Sequence, residues 1–170
     1  AVEYAWRIDG TDYSGPSAGG VVFATIGEFS VSVRATAVDS GEIVGEDDGQ
    51  VMCKYVRREL RALSEADRAR FLGAMRLVYT LSAREGKARF GATFRPAIAL
   101  AAKHNSLQWN FHFGCQFFTS HPAYQLMLEE SLRSVDPSIS HPYWDFMIDA
   151  GSGWQTSEIF DDQFFGPVRT

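Results

Sequence analysis

Cysteine is scarce in this chain, which has two among 170 residues, Cys53 and Cys115. Two cysteines allow one disulfide at most, and they cannot build a thiolate zinc site by themselves. The cysteine content therefore leaves the redox compartment open, and Cys115 is expected to be a buried thiol or a disulfide partner.

Long apolar runs and basic clusters are also missing. No apolar run approaches the ~20 residues that cross a bilayer, so we expect no membrane span. The net charge is -5 and the pI is about 5.3. Because binding to phosphates needs a basic surface, we expect no nucleic-acid partner.

The first 45 residues carry the signals of β-strands. Apolar and polar side chains alternate over residues 29–37 and again over residues 4–8, which is typical of half-buried strands. A turn-rich stretch, residues 9–20, lies between them. The pattern resembles the later strands of a PKD-like or Ig-like sandwich. We therefore expect residues 1–45 to form a few antiparallel strands of a partial sandwich-like domain.

An acidic, glycine-containing stretch follows this β region. We interpret residues 46–50 as a linker. Beyond it, apolar residues recur at helical spacing, beginning with residues 51–63. Residues 51–170 are therefore predicted to form a helical region, and the fold class is predicted to be mainly α.

Two helix starts are marked by capping residues or proline. The stretch from Ser64 to Asp67 resembles a capping box with Asp in place of the usual Glu, so a helix is predicted to open there. A further helix is predicted over about residues 96–104. Pro96 fits its first turn, because the missing N–H would have no helical partner there.

The helix predicted after residue 119 carries one of the histidines. Ser120 or His121 is expected to cap this helix, with Pro122 in its first turn. Its apolar periodicity runs to the Asp136-Pro137 stop. His121 is then expected to lie at the start of a rigid element that fixes the direction of its side chain.

Three of the four histidines fall within eighteen residues. The four are His104, His112, His121 and His141. Imidazole is a ligand for copper, zinc, iron and nickel, so such a group is a candidate metal site. The zinc-protease pattern H-E-x-x-H does not occur. Aromatic residues are concentrated after residue 90, which suits a dry aromatic interior. From spacing alone, a metal site and ordinary hydrogen-bonded histidines both remain open.

A longer motif surrounds these histidines. It runs H-x-G-x-x-F-x-x-x-H from His112 to His121, with His104 upstream, Glu129 eight residues downstream and P-Y-W-D at residues 142–145. Over about residues 51–166 the chain resembles the first copper half of the tyrosinase family. These are the type 3 copper proteins, which include tyrosinases, catechol oxidases and hemocyanins.

The resemblance implies a set of residue roles. His104, His112 and His121 would bind one copper ion, and the fold would be half of a type 3 copper helical bundle. Glu129 and Asp145 would either support the ligands by hydrogen bonds or anchor helix to loop. His141 stands where the family usually has an apolar residue, and it is the weakest candidate ligand.

The resemblance also implies partners, because a type 3 centre has six histidines and this chain has four. We expect a second polypeptide segment or chain to carry the other copper half, and this chain alone to be inactive. The complete centre would take a phenolic small molecule and dioxygen and form o-quinones. The alternatives are a degenerate fold serving as a structural or interaction subunit, and an oxygen carrier. An appended sandwich and a possible disulfide favour a secreted or surface setting.

Overall fold

The computed structural model of the chain describes residues 1–107, 112–151 and 153–167. The backbone divides into two compact units, Ala1–Tyr55 and Val56–Thr170. The boundary falls just after the last strand, so the β and helical parts of the chain belong to different units.

The first unit is an antiparallel sheet. Its described strands are β1 (Val2–Ile8), β2 (Thr11–Ser14), β3 (Gly27–Ala37) and β4 (Ile43–Cys53). They lie in the spatial order β2-β1-β3-β4, and every pairing is antiparallel. Strands β1 and β3 form where the alternation predicts them.

The apolar residues of β1 and β3 share one face of this sheet. In the ladder, Tyr4 lies opposite Ala35 and Trp6 lies opposite Val33, so their side chains point the same way. Among the described residues of this unit, Ile8 is the hydrophobic residue that is buried, with 7% of its surface exposed. The described residues supply one sheet layer, where a complete sandwich has two.

A tight hairpin joins β1 to β2, within the stretch predicted to be turns. Asp9 and Gly10 have φ values of 49° and 79°. Two consecutive positive φ angles are what a type I′ hairpin turn requires, and Asp-Gly is a preferred pair for it. The Asp-Gly dipeptide was therefore a signal for β2 that the sequence prediction did not use.

Strand β4 corrects the predicted linker and the start of the predicted helix. Residues 46–50, interpreted as a linker, lie in the middle of β4, and residues 51–53 form its end. Asp47 lies opposite Val33 of β3, and the pairing continues along the strand. Because backbone hydrogen bonds hold such a ladder, β4 forms without alternating apolar residues. Residues 54–63 are irregular apart from the 3₁₀ turn Leu60–Ala62.

The second unit is helical. Its described helices are α1 (Glu65–Thr80), α2 (Ala83–Phe90), α3 (Ala97–Ser106) and α4 (Phe117–Val135), with 3₁₀ turns at Trp154–Thr156 and Glu158–Phe160. Since the described chain also contains a four-stranded sheet, the fold is mixed α and β. The prediction of a mainly α fold was therefore too narrow. None of the helices in the described residues is both long and apolar enough to span a membrane.

The starts of the first three helices have clear local causes. The Ser64 side chain accepts a hydrogen bond from the backbone N–H of Asp67 at 3.1 Å, which confirms the predicted start of α1. Pro96 precedes α3, close to the predicted start. A reciprocal capping box between Ser82 and Glu85 opens α2, a helix that the sequence analysis did not predict.

Helix α4 begins earlier than predicted, at Phe117. Ser120 and His121 therefore lie inside the helix rather than at its cap, and Pro122 is an interior residue. Proline has no N–H to donate to the carbonyl one turn before it. The Ser120 hydroxyl donates to the Gln116 carbonyl at 2.6 Å in the first turn of the helix.

A core between the helices fixes their positions. Its buried members are Leu60, Phe71, Ala74, Val78, Phe94, Leu132, Ile139 and Ile159. The Phe94 ring packs directly on the backbone of α2, where a Cβ atom at Gly86 would lie 2.0 Å from the ring. Leu132 lies near the C-terminal end of α4, so the core holds that end of the helix that carries His121.

Candidate metal centre

Three histidines reach one place from three parts of the second unit. His104 lies in the last turn of α3, His121 lies in the second turn of α4, and His112 belongs to the segment between these helices. Helices α3 and α4 contact each other. This packing brings together the three residues that the motif singles out.

The three imidazoles form a compact triangle. The ring centroids of His104 and His112 are 5.0 Å apart, those of His112 and His121 are 5.3 Å apart, and those of His104 and His121 are 5.9 Å apart. One potential ligand nitrogen from each ring lies within 4.8 Å of the other two. The donor set therefore consists of three imidazoles.

This donor set fits a first-row metal ion. Imidazole nitrogens bind zinc at roughly 2.0–2.1 Å, so two ligands of one ion lie at most about 4.2 Å apart. Small rotations of the rings would bring nitrogens now within 4.8 Å into that range. Three imidazoles suit copper, zinc, iron or nickel and offer no hard carboxylate for magnesium or calcium.

The His121 ring is held by its own helix. Its Nδ1 atom lies 2.9 Å from the Phe117 carbonyl oxygen, so a protonated Nδ1 donates to that carbonyl and Nε2 keeps its lone pair. The Phe117 ring also packs on the imidazole, with centroids 4.4 Å apart. A hydrogen bond on one ring nitrogen is the usual way to orient a histidine whose other nitrogen binds metal.

Tyr124 contacts the His104 ring from the same helix. The two ring centroids are 5.4 Å apart, with an angle of 58° between the planes. Burial raises the pKa of the Tyr124 phenol, and the nearby Tyr79 raises it further. Tyr124 was not among the predicted site residues. An aromatic residue three positions after His121 on a predicted helix was the available signal.

Exposed aromatic residues flank the histidine cluster, contrary to the predicted dry interior. Phe113 is 62% exposed and Phe118 is 80% exposed, while His112 is also exposed. The described residues put no layer over these rings. The buried aromatic residues Phe71 and Phe94 belong instead to the helical core.

Glu129 lies at the buried end of α4. Its carboxylate pairs with Arg57, lies 3.4 Å from the Arg133 guanidinium and accepts from the His141 backbone N–H at 3.0 Å. Of the two roles predicted for Glu129, the described contacts fit the anchoring of the helix to its following loop. None of these contacts reaches the three clustered histidines.

The charge state of Glu129 follows from these contacts. Burial alone would raise the pKa of the carboxyl, but hydrogen bonds from Arg57 and the His141 backbone, with the charges of Arg57 and Arg133, lower it overall. Glu129 therefore stays ionised inside the fold. Its pairing with Arg57, 72 residues upstream, had no local sequence signal.

The described contacts of Asp145 also fit anchoring rather than support of the clustered histidines. Its backbone carbonyl accepts from Arg61 at 3.0 Å, and its carboxylate accepts from the Met147 backbone N–H at 3.1 Å. Arg61 also pairs with Asp149 and with Glu59. The described contacts therefore hold the P-Y-W-D loop against the segment before α1.

His141 and the cysteines lie outside the cluster. The His141 ring meets Phe71 edge-on, with centroids 5.9 Å apart, and is not part of the three-histidine group. Burial lowers the pKa of His141 and outweighs the opposing effect of Glu129. Both cysteines are free thiols in the structure, and Cys115 is exposed rather than buried as expected.

The same residues resemble known proteins. Residues 92–169 match the family model described as the common central domain of tyrosinase. The tyrosinase-like protein tyr-3 of Caenorhabditis elegans is 31% identical over 122 residues, which are 71% of this chain and 16% of that protein. Grixazone synthase of Streptomyces griseus is 36% identical over 55 residues, which are 32% of this chain and 17% of that protein.

The chain thus spans about one sixth of the length of each of these curated relatives. The matched residues include all three clustered histidines and the helices that carry them. The motif, the matched family model and the two relatives assign this chain to the tyrosinase family of type 3 copper proteins.

Proposed function

We propose that His104, His112 and His121 bind one copper ion of a type 3 centre, and that the complete centre oxidises phenols or catechols to o-quinones with dioxygen. One observation carries this proposal. The three imidazoles converge, with ligand nitrogens within 4.8 Å, inside the segment that matches the central domain of tyrosinase. Copper is favoured over zinc because the family is built around copper.

The three clustered histidines would hold the ion, and contacts within the chain would orient their rings. The Phe117 carbonyl fixes the His121 tautomer, so that Nε2 can bind the metal. Helices α3 and α4 carry His104 and His121, and the helical core holds the C-terminal end of α4. When bound, copper would supply the exchange of electrons with dioxygen.

A second histidine-bearing segment is the proposed partner of this half. The chain has four histidines, and His141 packs in the core away from the cluster. Phe113 and Phe118, which are close in sequence to His112 and His121, are exposed apolar residues. Exposed apolar surface of this kind is typical of an interaction site.

Copper binding by single-histidine variants tests the proposal. The purified 170-residue chain is expected to bind one equivalent of copper, and His104→Ala, His112→Ala and His121→Ala are each expected to lower the affinity at least roughly 10-fold by loss of a ligand. His141→Ala is the matched control, because His141 lies outside the cluster, and it should bind like the parent chain. Equilibrium dialysis with metal analysis measures the binding.

Catechol oxidation by the same samples tests the half-centre. The copper-loaded chain alone is expected to form no o-quinone, whereas a longer polypeptide with a second histidine set should form it. Equal copper binding in the parent chain and all three cluster variants contradicts the copper site and favours a structural module. Steady o-quinone formation by the 170-residue chain contradicts the need for a partner.

A further inference from the structure

The aromatic packing of helix α4 differs between two of the histidines. Phe117 packs on His121, four residues along the same helix. Tyr124 packs on His104, which belongs to the neighbouring helix α3. One contact is therefore local, while the other crosses between helices and depends on how they pack.

Helical geometry explains why Tyr124 can reach this position. Residues three apart lie on the same face of a helix, so His121 and Tyr124 project to the same side of α4. One face of α4 thus presents a candidate ligand and an aromatic ring that contacts another candidate ligand. The 5.4 Å separation of the Tyr124 and His104 centroids is within the range of packed ring pairs.

A ring in this place restricts the His104 imidazole. A histidine near a helix end can adopt several side-chain torsions, and only some of them point a nitrogen at a shared metal ion. Tyr124 lies against the imidazole, with the ring centroids 5.4 Å apart, and so limits the torsions open to it. The Tyr124 side chain is itself half-buried.

We propose that Tyr124 is a positioning residue of the metal site, which holds the His104 ring in the orientation that completes the three-imidazole set. This inference rests on the proposed copper-binding function and adds a residue to it. We assign this role to the Tyr124 ring, because the observed contact is between the two rings, which approach at an angle of 58°. Removal of the ring should weaken metal binding, and removal of the hydroxyl alone should not.

Variants at Tyr124 in the 170-residue chain separate these roles. Tyr124→Ala is expected to lower copper affinity roughly 10-fold, as for other residues that orient ligands, and to change the Cu(II) electron paramagnetic resonance spectrum at saturating metal. Tyr124→Phe is expected to keep both the affinity and the spectrum of the parent chain. Tyr124→Leu keeps apolar bulk without a planar ring, so it serves if the alanine variant does not fold, and its affinity should also fall.

Leu128→Ala is the control for a purely structural effect. Leu128 lies one turn further along α4 and packs against the core cluster, so its loss should lower stability while the folded chain binds copper as before. Parent-like affinity and spectrum in Tyr124→Ala or Tyr124→Leu overturn the inference and leave the copper site standing. An equal loss of affinity in Leu128→Ala also overturns it. Absence of copper binding by the parent chain overturns the proposed function itself.

Discussion

The two ends of helix α4 differ in solvent exposure and in how they are anchored. At the N-terminal end, His121 is partly exposed and Phe118 is 80% exposed. At the C-terminal end, Leu132 is 0% exposed and Glu129 is 2% exposed. About 16 Å of helix separates His121 from Leu132, at a rise of roughly 1.5 Å per residue. The helix is anchored at one end and presents a candidate ligand at the other.

The difference shows how an open site can still be well ordered. The C-terminal end is fixed by apolar packing and by the buried pairing of Glu129 with Arg57. A helix transmits that fixed position along its length, because its backbone hydrogen bonds keep it stiff. The Phe117 ring and carbonyl then restrain the His121 ring locally. Stability and metal binding should therefore separate along one element.

The largest expected effect comes from matched truncations at the two ends. Leu132→Ala should lower the free energy of unfolding by about 2–5 kcal/mol, because it leaves a cavity in a packed core. Phe118→Ala should change it by less than about 0.5 kcal/mol, since the ring is mostly solvated. Urea unfolding followed by circular dichroism measures both. Similar losses for the two variants would show that the N-terminal end is buried.

A smaller loss is expected when the buried ion pair is broken. Glu129→Gln leaves Arg57 and Arg133 without their carboxylate partner. It should lower the free energy of unfolding by about 2–3 kcal/mol, because a buried group then lacks its charged partner. Arg57 is 43% exposed and can turn to water, which limits the cost. The adjacent Glu130→Gln breaks a more exposed pair with Arg95 and should cost less than about 1 kcal/mol.

The same urea titrations compare these two charge variants, with copper affinity measured on the folded fraction. Glu129→Gln should keep the parent affinity, because its described contacts lead away from the histidine cluster. A large drop in affinity without a loss of stability would instead return Glu129 to the role of supporting the ligands directly.

The smallest expected effect is the dependence of stability on pH at His141. Burial lowers the pKa of this ring in the fold, against the opposing charge of Glu129 and with that of Arg57. The folded state therefore favours the neutral form of His141. This ring's contribution to stability is present above the unfolded pKa of about 6.5, and it is lost as the pH falls through the lower folded pKa. The parent chain should therefore lose stability as the pH falls below about 6.5.

His141→Phe keeps an aromatic ring against Phe71 and removes the titration. Its stability should stay level over that pH range. The pKa of Glu129 is also lowered, and that group loses its contribution only at more acidic pH, below the ordinary glutamate pKa of about 4.3. Parallel curves for the parent chain and the variant down to pH 5 would rule out His141 as the titrating group.

The sequence predicted the elements that have strong local causes. Alternation over residues 4–8 and 29–37 gave β1 and β3, and the Ser64 cap gave the start of α1. The histidine motif named three residues that the fold brings together. The strands and the helix start depend on residues within about one strand or one turn, and the candidate ligands depend on a spaced motif. These features can therefore be predicted from the local sequence pattern.

The wrong predictions concern residues whose structure depends on distant contacts or on hydrogen bonds that the sequence pattern does not show. Residues 46–50 have the composition of a linker, yet pairing with β3 makes them part of a strand. Helix α4 begins at Phe117, about one turn before the predicted cap, where the Ser120 N–H and hydroxyl both donate to the Gln116 carbonyl. The aromatic residues near the histidines were expected to be buried, but apolar character alone does not say which surface a neighbour covers.

The sequence by itself determined the family, the three candidate ligands and most of the local starts of strands and helices. Tertiary structure alone decided that His104, His112 and His121 meet, that Tyr124 contacts His104, and that Glu129 serves an ion pair with Arg57. The physical reason is that these contacts join residues whose separation in space is set by how helices α3 and α4 pack and how the loops fold around the core. No periodicity or spacing in one stretch of chain encodes that packing.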